Sequence, residues 1–202
     1  MAVHDDQHSW DEWYRSADTI WSGRPNPQLV AEAAGLPPGT ALDAGCGEGG
    51  DALWLARHGW RVTGADIAPV ALERAAAQAK VEGLDVEWVH ADLTTWTPPS
   101  PYDLVTTHYL HLPGDALERA LTRLAAAVAP GGTLLVVGHD HEHIARHHPD
   151  VADRYFSPES VAARLGDGWE IQVAETRPRT TTDPSGEEVT VGDAVLRARR
   201  AD

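Results

Sequence analysis

The sequence predicts an α/β fold: a doubly wound, mostly parallel sheet of seven strands ending in an antiparallel C-terminal hairpin. Between residues 40 and 140, short apolar runs alternate with segments of helical period, the order that builds parallel strands with helices on both faces. Near the end of the chain the alternation stops. "WEIQVAETR" and "EVTVGDAVLRARR" are two strands with only the turn-rich "TTTDPSGE" between them, so they pair as a hairpin.

The elements follow in order. "TALDAGC", residues 40 to 46, is a short buried strand running into glycines, and "DALWLARHGW" is a helix stopped by Gly59. "RVTGADI" is the second strand, and Pro69 opens a helix over residues 69 to 82. "VEWVHADL" is a third strand and "YDLVTTHYL" a fourth. Across residues 115 to 129, Leu117, Leu121, Leu124 and Val128 form one apolar helix face. "APGGTLLVVGHD" is a Pro-Gly-Gly turn and a fifth strand. In "SPES", Ser157 caps a helix whose first residue is Pro158.

At 202 residues the chain suits a single domain, with residues 1–39 as a helical lid segment and 40–202 as the core. One cysteine, Cys46, precludes an intrachain disulfide and fits a reducing cytoplasm. "MAVHDDQHSW" lacks the basic start and apolar stretch of a signal peptide, and no window nears the roughly 18 apolar residues of a membrane span. Sixteen Lys plus Arg against 31 Asp plus Glu leave a formal charge of −15, which repels nucleic-acid phosphates and anionic lipid.

"LDAGCGEGG", residues 42 to 50, asks what ligand needs so bare a backbone. Gly45 to Gly50 satisfies G-x-G-x-x-G, and Asp66 follows about 20 residues later, where an acid can hold a ribose diol. That pattern alone admits a nicotinamide dinucleotide. Asp43 and Glu48 argue against one, because a carboxylate about 4 Å from a phosphate costs about 4 kcal/mol at an effective dielectric near 20. S-adenosylmethionine has no phosphate and carries two cationic centres, which an acidic loop favours.

"LDAGCGEGG", Asp66 closing the second strand, "ADL", "DLV", "APGGTLLVV" and the final hairpin together resemble class I S-adenosylmethionine-dependent methyltransferases. "WDEWYRSADTIWSGRPN" and "DPSGEEVTVGDAVLRARR" are most similar to the small tellurite-resistance and thiopurine-type members. The resemblance implies a Rossmann-like sheet that binds S-adenosylmethionine. Asp43, Gly45, Cys46, Gly47 and Gly49 would surround its methionine end, and Asp66 its ribose. Ile67 would pack on the adenine, with Asp92 accepting from the adenine amino group and Leu93 beside it. Asp66 and Asp92 also have a plainer reading, as turn or helix caps after strands.

Ligands of open α/β sheets sit outside the carboxyl ends of the strands. "THYLH" and "GHDHEHIARHH" place His108, Tyr109, His111, His139 and Asp140 there. Methyl transfer needs chiefly alignment, worth up to about 7–11 kcal/mol. Where the nucleophile carries a proton, His108 or His139 is the candidate base. His108 also stands among the expected cofactor contacts, and Tyr109 among the catalytic ones. Residues 139 to 148 hold five of the 11 histidines, a tract that reads as a solvated loop before it reads as a metal site, so no metal is assigned. Trp10, Trp13, Tyr14 and Trp21 suit either a lid or plain packing on the sheet. Trp21 would cover the cofactor and Arg24 would pair with its carboxylate. Arg177 and Arg179 occupy the hairpin region where tellurite-type relatives place active-site His and Arg, here without a histidine.

The chain therefore reads as a cytoplasmic S-adenosylmethionine-dependent methyltransferase of a small molecule, with no nucleic-acid or membrane partner. A metal-binding sensor on the same fold and a nicotinamide-dependent oxidoreductase are the alternatives. These residues set neither the acceptor atom nor the oligomeric state.

Overall fold

A computed structural model describes residues 6–182 and 186–202. The order is α1 (Gln7–Arg15), α2 (Pro27–Ala33), β1 (Thr40–Ala44), α3 (Gly50–Arg57), β2 (Arg61–Asp66), α4 (Pro69–Glu82), β3 (Val86–His90), β4 (Tyr102–His108), α5 (Asp115–Ala126) and β5 (Val128–His139). Then come α6 (His141–His147), a 3-10 turn (Pro149–Arg154), α7 (Pro158–Leu165), β6 (Trp169–Thr182) and β7 (Glu188–Arg200).

Seven strands form one sheet in the order β3-β2-β1-β4-β5-β7-β6. The first five run parallel, and β7 enters antiparallel between β5 and β6. The winding reverses between β1 and β4, so the crevice at their carboxyl ends is where such a sheet binds ligands. Alternate residues of the central strands bury opposite ways. Leu42, Val105, Leu134 and Leu196 join Leu117, Leu121 and Leu124 of α5 in one core. Ala41, Leu104, Leu135 and Val195 meet Leu29, Leu55 and Trp60 in the other. No helix among the described residues is long and apolar enough to cross a membrane.

Several boundaries differ from expectation for local reasons. "ADL" lies on a loop beyond β3, where the Asp92 carboxylate accepts from the Thr94 amide and hydroxyl and turns the chain. β4 stops at His108 because Tyr109 takes a left-handed φ of 53°, costly for a non-glycine residue. α5 ends at Ala126, and the Pro-Gly-Gly stretch is an excursion inside β5: Tyr102 pairs Val128, but Leu104 pairs Thr133. The histidine tract neither continues the strand nor forms a loop. Asp140 caps α6 through its bond from the Glu142 amide, and Ile144 is buried with Val151 and Tyr155. The side chains of His143 and His147, residues 183–185 of the expected hairpin turn and residues 1–5 of the N-terminal segment fall outside the described residues.

The N-terminal segment both packs and covers. Buried Asp11 accepts from the Val70 amide at the start of α4 (3.2 Å). Arg74 of α4 donates to the Tyr14 and Ala17 carbonyls and to Glu48, tying α1 to the glycine loop.

Candidate active site

A cavity of about 1030 Å³ opens at the carboxyl ends of β1, β2, β4 and β5. Residues 20–27 run along one side of it and the glycine loop forms its floor. The expected residues Trp21, Arg24, Gly45, Cys46, Gly47, Asp66, Ile67, Asp92, Leu93, His108, Tyr109, His139 and Arg179 all reach it.

The loop is pinned by its own amides. Gly45 and Cys46 donate to the Ala65 carbonyl, Gly49 donates to the Cys46 carbonyl, and Gly47 donates to Asp66 Oδ2 at 2.8 Å. Gly47 sits at φ 52°, where a side chain is strained, and an added Cβ would lie 3.0 Å from the Tyr14 hydroxyl and 3.3 Å from Trp21 Nε1. Asp66 accepts a second amide, from Ala68, on Oδ1 at 2.9 Å. Each of its oxygens thus takes one loop or helix amide and keeps acceptor capacity toward the cavity. Burial raises its pKa against the pull of the Ala68 and Gly47 amides.

Three expected residues stand elsewhere. Gly49 is turned away from the cavity: at φ 83°, its missing Cβ makes room for Ala75 and Trp88, so it serves the packing of α3 on α4 and β3. Asp43 lies behind the cavity wall, 1 % exposed, with Oδ2 lacking any partner. Arg177 does not line the cavity, because Glu32 (2.6 Å) and Glu175 (2.7 Å) hold it. Glu48 also departs from its expected part. It accepts from the Ile20 and Trp21 amides and pairs with Arg74 at 2.7 Å, so its charge is answered by the protein.

Asp51, which the sequence reading passed over as an ordinary helix residue, is central. It accepts the Asn26 amide at 2.6 Å and lies 2.7 Å from His108 Nδ1, a close but unaligned contact. His108 Nε2 is 2.8 Å from Thr106 Oγ1. Thr106 engages Nε2 and the Asp51 carboxylate lies beside Nδ1 without bonding it, so the buried ring is tied to β4 and α3. Burial opposes its charge, but Asp51 and Asp43 prevail and lift its pKa above the usual value. Burial, reinforced by Asp51, pushes Asp43 up to about 7. Asp43, Asp51 and His108 also form a group close enough to share a cation.

The far end of the cavity is aromatic. Tyr109 and His139 stack at 4.5 Å, His139 and His111 at 5.2 Å, and Tyr155 backs His111 at 4.6 Å. Arg179 lies 5.8 Å from the Tyr109 ring centroid, and its Nε reaches both oxygens of fully buried Asp193, at 2.9 and 3.1 Å. Asp193 also accepts from the Tyr109 hydroxyl and the Gln28 side-chain amide. Nothing in the hairpin's sequence marks Asp193 as this anchor.

These residues fit S-adenosylmethionine better than a dinucleotide. The amides of Gly45, Cys46, Gly47 and Gly49 are already bonded within the protein and are not offered to a pyrophosphate. A buried donor without a hydrogen-bond partner, Asn26 Nδ2, belongs to a residue that lines the cavity and can meet a ligand's carboxylate oxygen.

Comparison with known proteins agrees. A family model described as a methyltransferase domain matches residues 41–132. The trans-aconitate 2-methyltransferase of Streptomyces avermitilis is 37 % identical over 137 residues, 62 % of this chain and 49 % of that protein. The 2-heptyl-1-hydroxyquinolin-4(1H)-one methyltransferase of Mycobacteroides abscessus is 30 % identical over 174 residues, 74 % of this chain and 75 % of that protein. The chain spans about half to three fifths of the first curated relatives it matches. The N-methyltransferase NodS from Bradyrhizobium japonicum WM9, solved with S-adenosyl-L-homocysteine, shares the fold at a TM-score of 0.75 and 20 % identity, over 98 % of this chain and 100 % of its own.

Proposed function

The chain belongs to the class I S-adenosylmethionine-dependent methyltransferases, and from that premise we propose that it moves a methyl group from S-adenosylmethionine to a small-molecule acceptor. One observation carries the reading: the glycine-loop amides are spent inside the protein while the Asp66 carboxylate stays open to the cavity. When bound, S-adenosylmethionine supplies a methyl carbon on a cationic sulfur, open to in-line displacement.

The chain's own residues bind, orient and exclude water. Asp66 holds the ribose hydroxyls with the acceptor capacity left on its two oxygens. Ile67 and Leu93 flank the adenine, and Asp92 meets its amino edge. Gly45, Cys46 and Gly47 let the methionine end lie close to the backbone, with Asn26 and Arg24 at its carboxylate. Ile20 and Trp21 exclude water from the reacting centre. His139 takes the acceptor's proton where there is one, since it lines the cavity at the end of β5. His108 serves through Asp51 as a positioning residue.

All 202 residues act as one domain on this reading, with residues 1–39 as its lid. The lone Cys46 fits a cytoplasmic enzyme, and the −15 charge disfavours nucleic-acid and anionic membrane partners. Calorimetric titration tests it. S-adenosylhomocysteine should bind and NADH should not, and labelled cofactor should pass its methyl to members of an acceptor panel. Binding of NADH with no response to S-adenosylhomocysteine would reverse the assignment.

A further inference from the structure

We propose that the acceptor is a flat, uncharged aromatic molecule seated on the wall of Tyr109, His111 and His139, with its polar edge bonded to His111 Nε2. The proposal rests on the methyltransferase reading above.

His111 Nε2 is buried and has no hydrogen-bond partner, although the residue lines the cavity. A buried polar atom of this kind is costly until a ligand satisfies it. Burial, then the neighbouring His139 and Arg154, push the His111 pKa down to about 3. Neutral imidazole offers one donor and one acceptor, which suits a hydroxyl or a ring nitrogen.

Among the described residues that line the cavity, two are arginines, and neither is left over for an anionic acceptor, Arg24 being given to the cofactor carboxylate. Of the arginines, Arg24 and Arg179 line the cavity, and Arg24 sits on the 20–27 segment beside the start of α3. Arg179 has its charge met by buried Asp193. Arg177 and Arg197, on the neighbouring strands, both pair with Glu32. A carboxylate or chalcogen oxyanion would shed water here without an uncommitted cation among the described lining residues to offset the loss. An aromatic ring would pack edge-to-face against Tyr109, His111 and His139, whose faces stack on one another, with Leu110 and Leu112 beside them.

The test uses the full chain saturated with S-adenosylhomocysteine. 4-Hydroxyquinoline, naphthalene, citrate and selenite are titrated in separate calorimetric runs. 4-Hydroxyquinoline should bind at least tenfold more tightly than citrate or selenite. His111→Phe keeps a ring but removes the nitrogen. It should weaken 4-hydroxyquinoline at least tenfold and leave both naphthalene and S-adenosylhomocysteine unchanged. His111→Gln restores a neutral polar edge and should recover most of the loss. Citrate or selenite binding as tightly as the aromatic probe overturns the proposal. So does an unchanged 4-hydroxyquinoline affinity in His111→Phe, or a parent that binds none of the probes while binding S-adenosylhomocysteine. Should either variant fail to fold, the ranking of probes on the parent decides. Failure of S-adenosylhomocysteine itself to bind counts against the methyltransferase reading instead.

Discussion

Asp51 Oδ2 lies 2.7 Å from Nδ1 of buried His108, while its Oδ1 accepts the Asn26 amide at 2.6 Å. One carboxylate thus joins the end of β4 to the segment that walls the cavity. Asp51→Ala leaves a buried imidazole without its counter-charge and frees that segment. The variant should lose about 3 kcal/mol of stability, at the low end for a broken buried pair because Asp51 keeps some exposure. S-adenosylhomocysteine affinity should fall as well. Urea unfolding and calorimetry read the two effects, and a variant unchanged in both would remove Asp51 from this role.

The same cluster sets a pH dependence. Asp43 is raised to about 7 and His108 is raised above its ordinary value. For both, the stabilising contribution is complete below the unfolded pKa and is lost as pH climbs through the folded one. The urea midpoint should therefore fall from about pH 4 to about pH 7 through Asp43 and above about pH 6.5 through His108. Asp43→Asn removes one of the two titrating groups and should flatten that fall. An equally steep profile in Asp43→Asn would show that Asp43 does not titrate in this range.

Asp66→Ala removes the ribose contacts and also the acceptors for the Gly47 and Ala68 amides. Charge-assisted bonds of this type are worth about 1.5–3 kcal/mol each. S-adenosylhomocysteine affinity should drop at least tenfold, with a lowered thermal midpoint from the unpinned loop. Wild-type affinity in a folded variant would take Asp66 out of the ribose site.

At Gly47, φ 52° and the close approach of Tyr14 and Trp21 leave no place for a side chain. Left-handed backbone costs a non-glycine residue about 1–2 kcal/mol before any clash. Gly47→Val should abolish cofactor binding. Retained methyl transfer in that variant would show that the loop does not face the ligand.

His139→Asn should lower turnover by about 10²–10⁴ on an acceptor that must lose a proton, with cofactor affinity nearly unchanged. EDTA should leave the parent's turnover alone. A chelator-sensitive parent would instead point to a metal held by Asp43, Asp51 and His108 or by the histidine tract.

Much of this was readable from residue order. Alternating apolar runs and helix periods determined the parallel sheet, and the lack of a helix between residues 169 and 200 determined the hairpin, because burial patterns and turn residues are local properties. The glycine loop, Asp66 and the residues ending β4 and β5 were legible for the same reason: strand ends fix which side chains reach the crevice. Tertiary structure decided the rest. Arg177 and Arg179 are alike in sequence and two residues apart, yet Glu32 draws one away while Asp193 holds the other at the cavity. Gly49 faces Trp88 rather than ligand, and Glu48 answers Arg74, because partners distant in sequence arrive only on folding. His108 stands at the cavity as its place at the end of β4 implies, but the Asp51 carboxylate beside its ring is brought there only by folding. Charge pairing and burial depend on contacts across the sheet, and those contacts have no local signature in the chain.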